Sequence, residues 1–263
     1  MDLGIAGRRA LVCGSTQGLG RAIAARLVAE GCRVALNGRT EDRTTAAAEA
    51  LARETGGDVI GLAGDVGDQA AVATLVSRAE TQFGGVDILV CNSGGPPSVL
   101  FADAQPDQWQ GALDVSLLST IHLCRAAVPG MRSRHWGRVI CLTSVAAKQA
   151  VPGLILSTTA RAGVLGFAKT LADEVAADGV TVNTVCPGYM RTERLTELMD
   201  VRAARAGRTP ADVSADLVRT VPAGRIGDPD ELAAAVAFLA SEPARYITGA
   251  VLQVDGGSTR SIF

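Results

Sequence analysis

Short runs of β-branched residues alternate with long amphipathic runs along the whole chain. The strand-like runs cover 8–13, 33–37, 58–62, 87–91, 137–143, 180–185 and 250–254. Helical periodicity fills 19–30, 41–55, 68–83, 106–132, 156–178 and 229–241. Repeated strand–helix alternation is typical of a parallel sheet that is covered by helices on both faces. The sequence therefore predicts an α/β fold with a doubly wound, seven-stranded parallel sheet.

Length and composition set the outer limits of this fold. The 263 residues are 48% hydrophobic and 20% charged, with a net charge of −2. A single domain over 1–263 explains the pattern, since no linker, repeat or low-complexity tract divides it. The chain has no block of Lys and Arg, which argues against nucleic acid or an anionic membrane as partner. No uninterrupted apolar segment reaches the length of about 18 residues that a membrane span needs, and no secretion signal is indicated.

The cysteines and histidines give no sign of a disulfide or a metal centre. The six cysteines, none of which forms a C-x-x-C pair, are Cys13, Cys32, Cys91, Cys124, Cys141 and Cys186. We expect free, mostly buried thiols in a reducing cytoplasm. His122 and His135 are the only histidines and lack the spacing of metal ligands, so no metal site is predicted.

A glycine-rich turn follows the first predicted strand and leads into a helix. Its residues are Gly14, Ser15, Thr16, Gln17, Gly18, Leu19 and Gly20. Glycines at such a turn let the backbone approach a pyrophosphate, and the helix N-terminus supplies amide donors and a positive dipole for it. This placement predicts a dinucleotide site, with a glycine turn that binds nothing as the alternative.

The end of the second predicted strand favours one form of the dinucleotide. An acidic residue there would accept hydrogen bonds from a ribose 2′-hydroxyl and repel a 2′-phosphate. The strand ends at Asn37, and the next residues are Gly38, Arg39 and Thr40, without an acid. Arg39 can pair with a phosphate through its planar guanidinium. The sequence therefore favours NADP(H) over NAD(H), although the glycine turn itself carries no basic residue.

Motifs spread over nearly the whole chain resemble those of the short-chain dehydrogenase/reductase family, which has a Rossmann-type fold. The glycine spacing G-x-x-x-G-x-G is similar to that of the family. The other matching segments are Asp65-Val66, Asn92-Ser93-Gly94, Pro187-Gly188 with Thr192, and Asp255-Gly256-Gly257. The resemblance implies that Asp65-Val66 contacts the adenine of the cofactor. It implies that Asn92-Ser93-Gly94 supports the sheet and lines the cofactor, and that Pro187-Gly188 with Thr192 contacts the nicotinamide end. It also implies a homodimer or homotetramer.

The catalytic positions of that family are altered in this chain. The resemblance assigns Ser144 to the serine that binds the substrate oxygen. Ser157 stands at the tyrosine position, Arg161 at the lysine position and Ser116 at the asparagine position. Three of the four family positions therefore differ. The chain resembles an atypical subgroup of 3-oxoacyl-carrier-protein-reductase-like proteins, as the segment Gly94-Gly95-Pro96-Pro97 also indicates.

The missing phenol leaves the proton donor open. A serine hydroxyl is a much weaker acid than a phenol of pKa about 10, and an arginine stays charged. We predict Lys148 as the donor, because a lysine beside other cations has a lowered pKa; an exposed loop lysine is the alternative. Tyr189 is a second candidate by resemblance. Tyr246, the other tyrosine, is predicted to be structural.

The segment between the sixth and seventh strands is predicted to form a substrate lid at about 192–224. Its apolar residues would cover an apolar substrate, and its arginines would bind a carboxylate or phosphate. The alternative is that both sets of residues belong to ordinary helix faces without a ligand. The apolar residues are Leu195, Leu198, Met199, Val201 and Leu217.

Three functions stay open. The first is an NADP(H)-dependent oxidoreductase that reduces a 3-oxoacyl-like or other ketone. The second is an inert NADP(H)-binding sensor. The third is a dehydratase or epimerase.

Overall fold

All seven predicted strands form one parallel sheet in the computed structural model, which describes residues 1–262. The strands are β1 (Arg9–Val12), β2 (Arg33–Gly38), β3 (Val59–Ala63), β4 (Ile88–Cys91), β5 (Gly137–Leu142), β6 (Val180–Pro187) and β7 (Val251–Val254). Their order is β3-β2-β1-β4-β5-β6-β7, with every neighbouring pair parallel. The predicted fold class is thus confirmed.

Helices cover both faces of this sheet. They are α1 (Gly18–Ala29), α2 (Glu41–Thr55), α3 (Gln69–Phe83), α4 (Pro106–Leu113), α5 (Ser119–Ser133), α6 (Ile155–Val175), α7 (Glu193–Ala206), α8 (Pro210–Thr220) and α9 (Pro229–Leu239). One core cluster joins the sheet to α1 and α9, and the other joins it to α3, α5 and α6. Strands buried on both faces account for the near-continuous apolar runs that the sequence shows.

The helix predicted at 106–132 is interrupted by a π-helical turn at Asp114–Leu118, so that α4 and α5 are separate elements. The full run Pro106–Ser133 is long and apolar enough to cross a membrane, with a mean hydropathy of 1.2, and 44% of that window is buried inside the fold. Leu123, Ala127 and Met131 belong to the core beneath the sheet. This run is therefore a core helix.

The six thiols are all buried and free. Three of them form a row across neighbouring strands. Cys91 of β4 pairs in register with Cys141 of β5, and the Cys13 backbone nitrogen donates to Val90 just before Cys91. Cys124 of α5 lies in the same core cluster. The expectation of reduced, buried cysteines agrees with this arrangement.

Candidate functional site

The strand order reverses between β1 and β4, and a cavity of about 480 Å³ opens at the carboxyl ends of the strands there. Open parallel sheets bind ligands at this switch point. The predicted site residues that line the cavity are Gly14, Gln17, Gly18, Leu19, Gly20, Arg39, Asn92, Ser93, Gly94, Ser144, Ser157, Arg161, Pro187, Gly188, Tyr189 and Thr192. The cavity thus brings together residues from distant parts of the chain.

The glycine turn after β1 has the geometry of a phosphate cradle. Gly14 and Gly18 have φ of +54° and +58°, a conformation that residues with a side chain rarely adopt. A Cβ on Gly20 would lie 2.3 Å from the Gly14 carbonyl oxygen, so the turn packs directly on α1. Gln17, the N-cap residue, makes no side-chain cap to this helix. The first N–H groups of α1 are therefore available to a ligand, and the turn fits a pyrophosphate.

Two asparagines hold this turn on the sheet. Asn92, after β4, donates from Nδ2 to the carbonyl oxygens of Cys13 and Gly14 at 3.1 and 3.0 Å. Asn37, at the end of β2, accepts from the Gly14 nitrogen at 3.3 Å. Ser15 is fully buried, and its Oγ donates to the Val12 carbonyl at 2.6 Å. Its role in this structure is to fasten the turn, and it does not line the cavity.

The end of β2 leaves no room for an acidic side chain. A Cβ on Gly38 would lie 2.5 Å from Thr16 Cγ2 and 2.5 Å from Thr44 Oγ1. The next residue, Arg39, lines the cavity. A cationic side chain therefore occupies the place where an acid would contact a ribose hydroxyl.

Some predicted cofactor residues lie outside the cavity lining. Thr16 packs near Gly38, and Val66 is buried in the core beneath the sheet. Asp65 is exposed, and its Oδ1 accepts from the Gly67 nitrogen at 2.9 Å. The adenine contact that the resemblance implies for Asp65 and Val66 stays a prediction.

Two serine hydroxyls face the cavity, and each already accepts one hydrogen bond. Ser144 Oγ accepts from the Ala146 backbone nitrogen at 3.1 Å, within the short 3₁₀ turn that follows β5. Ser157 Oγ accepts from Arg161 Nε at 3.2 Å, one turn along α6. A hydroxyl that accepts one hydrogen bond still has its own proton to donate. Both side chains can therefore donate to an oxygen atom in the cavity.

Arg161 is a buried cation at the base of the cavity. It is 8% exposed, and its Nη1 donates to the carbonyl oxygens of Leu142 and Thr143 at 3.2 and 3.1 Å. Burial lowers the pKa of Arg161 to about 10, and the positive charge of Arg194 acts in the same direction. Arg161 therefore stays charged at neutral pH.

Lys148, which the sequence predicts as the proton donor, does not line the cavity. It follows the 3₁₀ turn Val145–Ala147, which redirects the chain after Ser144. Its charge acts on Cys186 behind the cavity, where burial raises the pKa of the thiol and Lys148 opposes that shift. Tyr246 is 99% exposed, so the prediction that it is structural is wrong.

The predicted lid consists of α7 and α8. Two arginines tie α7 to the loop after β4: Arg194 Nη2 donates to the Pro96 carbonyl at 2.9 Å, and Arg205 Nη2 donates to the Ser98 carbonyl at 3.0 Å. Among the apolar lid residues, Leu195 and Leu198 line the cavity. Met199 and Leu217 are buried, and Val201 is 41% exposed.

Several residues that line the cavity were not predicted individually as site residues. These are Gly95, Pro96, Leu142, Thr143, Val145, Val151, Leu154, Met190, Glu193, Arg194 and Glu197. Most come from loops, whose course the periodicity does not predict. The helical start at Thr192, whose Oγ1 accepts from the Leu195 nitrogen at 3.4 Å, is the signal that would have placed Glu193, Arg194 and Glu197 on one helix.

Ser116, at the position of the family asparagine, lies in the π-helical turn between α4 and α5. It is 4% exposed, and its Oγ has no hydrogen-bond partner in the structure. It does not line the cavity. The substitution of the asparagine by a serine thus leaves a buried hydroxyl in an irregular helix.

The parallel sheet reverses its strand order beside a glycine turn, and this turn lies at a helix N-terminus. These two features define the class of Rossmann-type dinucleotide-binding folds. Residues 14–259 match the family model described as enoyl-(acyl carrier protein) reductase. The chain belongs to the short-chain dehydrogenase/reductase family.

Three relatives illustrate this membership. The 3-oxoacyl-[acyl-carrier-protein] reductase FabG of Haemophilus influenzae is 39% identical over 251 residues, which cover 95% of this chain and 98% of the relative. The D-beta-hydroxybutyrate dehydrogenase of Cupriavidus necator is 36% identical over 95% of this chain and 97% of its own. L-sorbose reductase from Gluconobacter frateurii, solved with NADPH and L-sorbose, superposes with a TM-score of 0.94 at 33% identity, and each chain is covered completely.

Proposed function

We propose that the protein is an NADP(H)-dependent oxidoreductase that interconverts a ketone and its alcohol with a proton donor at a non-standard position. The observation that carries this proposal is the pair of hydroxyls, Ser144 and Ser157, which face the same cavity as the glycine turn. The relatives are reductases and dehydrogenases, and two of the similar solved structures contain NADPH. Arg39, together with the closed space at Gly38, supports NADP(H) over NAD(H).

NADPH, when bound, supplies hydride to the carbonyl carbon. The residues of this chain act on the carbonyl oxygen. Ser144 and Ser157 donate hydrogen bonds to it, and these bonds strengthen as negative charge develops there. Arg161, which is buried, adds a fixed positive charge next to Ser157, and burial strengthens the effect of such a charge.

Three groups compete to deliver the proton to the resulting alkoxide. Ser157 can give its hydroxyl proton to the alkoxide oxygen, while the hydrogen bond from Arg161 Nε stabilises the serine oxyanion until solvent returns a proton to it. The 3.2 Å contact between these two atoms supports this route. Tyr189 lines the cavity and is the second candidate. Lys148 is the third; as it lies outside the lining, it would need to move.

The test is NADPH oxidation over a panel of ketones, aldehydes and 3-oxoacyl thioesters, run with the wild-type protein and with the Ser157→Ala, Tyr189→Phe and Lys148→Ala variants. Turnover that one variant abolishes identifies the donor. Thermal stabilisation by NADPH without turnover of any compound would favour the inert sensor. A product that forms without net change in NADPH would favour the dehydratase or epimerase.

We also infer that copies of the chain associate through the β7 edge of the sheet. β7 is an edge strand of the sheet and its Leu252 is 37% exposed, so an apolar side chain lies at this edge. Analytical ultracentrifugation of the wild-type protein and of Leu252→Arg tests this inference. A monomeric wild-type protein would overturn it.

A further inference from the structure

The charge of Arg161 is balanced by no carboxylate in the part of the chain that the structure describes. Its three acceptors, Ser157 Oγ and the carbonyl oxygens of Leu142 and Thr143, are all neutral. Buried charges in proteins are normally paired, because an isolated ion loses its hydration. A negatively charged group that enters the cavity would therefore gain from the uncompensated cation.

Arg194 is a second cation of the same cavity. It lies in the first turn of α7 and is close enough for its charge to lower the pKa of Arg161. Its Nη1 pairs with Glu197 at 3.2 Å, but these side chains are 51% and 64% exposed. Exposed pairs of this kind are weak. A ligand carboxylate can thus replace Glu197 on Arg194.

The acidic residues of the cavity do not neutralise the positive charge of Arg161. Glu193 and Glu197 both belong to exposed positions of α7, and Glu197 is already engaged by Arg194. Neither is a hydrogen-bond partner of Arg161. The remaining wall beside the serines is apolar, with Val151, Leu154, Leu195 and Leu198.

We propose that the substrate is a keto acid with an apolar carbon skeleton, whose carboxylate binds Arg194 while its ketone oxygen meets Ser144 and Ser157. This inference rests on the ketone reductase function proposed above. A guanidinium matches a carboxylate through two parallel hydrogen bonds, and the apolar wall accommodates the skeleton. The ketone oxygen then lies beside Arg161, which stabilises the charge that develops during reduction.

The test uses keto acids and their methyl esters, which share one ketone-bearing skeleton but differ in the negative charge and in the added methyl group. The probes are α-ketoisocaproate, acetoacetate and levulinate, each with its ester, because they place the ketone at increasing distance from the carboxylate. For at least one pair we expect kcat/KM to be about 10- to 100-fold higher for the acid, as hydrogen bonds to charged groups imply. Equal kcat/KM for acid and ester in all three pairs would overturn the proposal.

Three variants locate the effect. Arg194→Gln should remove the preference for the acid, through a rise in KM that is much larger for the acid than for the ester. Glu197→Gln, which frees Arg194, should raise kcat/KM for the acid a few-fold. Arg205→Gln is the matched control: it also ties α7 to the loop after β4, but it does not line the cavity. If Arg194→Gln and Arg205→Gln lower acid and ester alike, Arg194 is a lid fastener and the proposal is wrong.

A second measurement separates this proposal from the proposed function. If no ketone is reduced, the reductase function fails, and thermal stabilisation of the NADP⁺-loaded protein is compared for each acid and its ester. Stabilisation by an acid alone, lost in Arg194→Gln, would support the anion site. Equal effects of acid and ester would overturn it.

Discussion

Arg161 Nε donates to Ser157 Oγ at 3.2 Å, and both residues are buried on the same face of α6. The spacing of four residues brings them together, since one helical turn separates them. The hydroxyl thus accepts from a cation and retains its proton for a group in the cavity. The family resemblance would place a longer phenol and a lysine at these two positions.

The hydroxyls of Ser144 and Ser157 should both be needed for turnover. We expect Ser144→Ala and Ser157→Ala each to lower kcat by about 10²-fold or more, because each removes a donor to the developing oxyanion. Steady-state NADPH oxidation measures the effect. Thr158→Val is the control, because its Oγ1 is buried without a hydrogen-bond partner beside Ser157. Wild-type activity in both serine variants would exclude the two-hydroxyl site.

Arg39 should set the choice between the two nicotinamide cofactors. Reversing its charge in Arg39→Glu should lower the ratio of NADPH to NADH affinity by about 10²-fold, through loss of an arginine–phosphate pair and added repulsion. Titration calorimetry with both cofactors measures this ratio. Arg43→Glu, an exposed change in the first turn of α2, controls for net charge. An equal change of the ratio in both variants would contradict a specific role of Arg39.

Two glycine-to-alanine changes in helices should have opposite signs. Gly20→Ala places a methyl group 2.3 Å from the Gly14 carbonyl and should lower the free energy of unfolding by about 1–3 kcal/mol, because the cofactor turn must move. Gly111→Ala meets nothing within 4 Å in α4 and should stabilise by about 0.5–1 kcal/mol. Urea unfolding of both variants measures the difference. Equal effects would mean that the turn does not pack on α1 as described.

Because of Asp87, the free energy of unfolding should depend on pH in the acid range. Burial raises its pKa, but hydrogen bonds and charge from Arg9 and the charge of Arg134 outweigh this, and the net pKa lies below the ordinary value of 3.8. The stabilisation is therefore complete above 3.8 and is lost as pH falls through the lowered pKa. We expect Asp87→Asn to cost about 3 kcal/mol at neutral pH and much less in strong acid.

Urea unfolding at a series of pH values measures this dependence. Asp58→Asn is the control, because its carboxylate pairs with Arg33 at 2.6 Å but is 50% exposed, and should cost less than about 1 kcal/mol. An effect of Asp87→Asn that does not change with pH would show that the carboxylate charge is unimportant.

The parts of the fold that follow from periodicity were predictable, and the parts that depend on loop direction were not. The seven strands follow from their β-branched runs, and the glycine turn follows from its place after β1. The path of the chain after Ser144 depends on a single 3₁₀ turn, so the sequence could not show that Lys148 lies outside the cavity lining. The sequence predicted arginines in the lid but could not single out Arg194, because its position depends on how α7 packs on the loop at Pro96.

The reactivity of the six buried cysteines can report local opening of the folded structure. Each thiol is at most 3% exposed. Burial also raises the pKa of Cys13 and Cys32 to about 12, which makes the reactive thiolate scarce at these two positions. A thiol reagent can modify them only when the surrounding structure opens. The thiols lie in β4, β5, β6 and α5, directly after β1 and directly before β2. The order in which they are labelled would therefore rank the strands of the sheet by local stability, without any introduced probe.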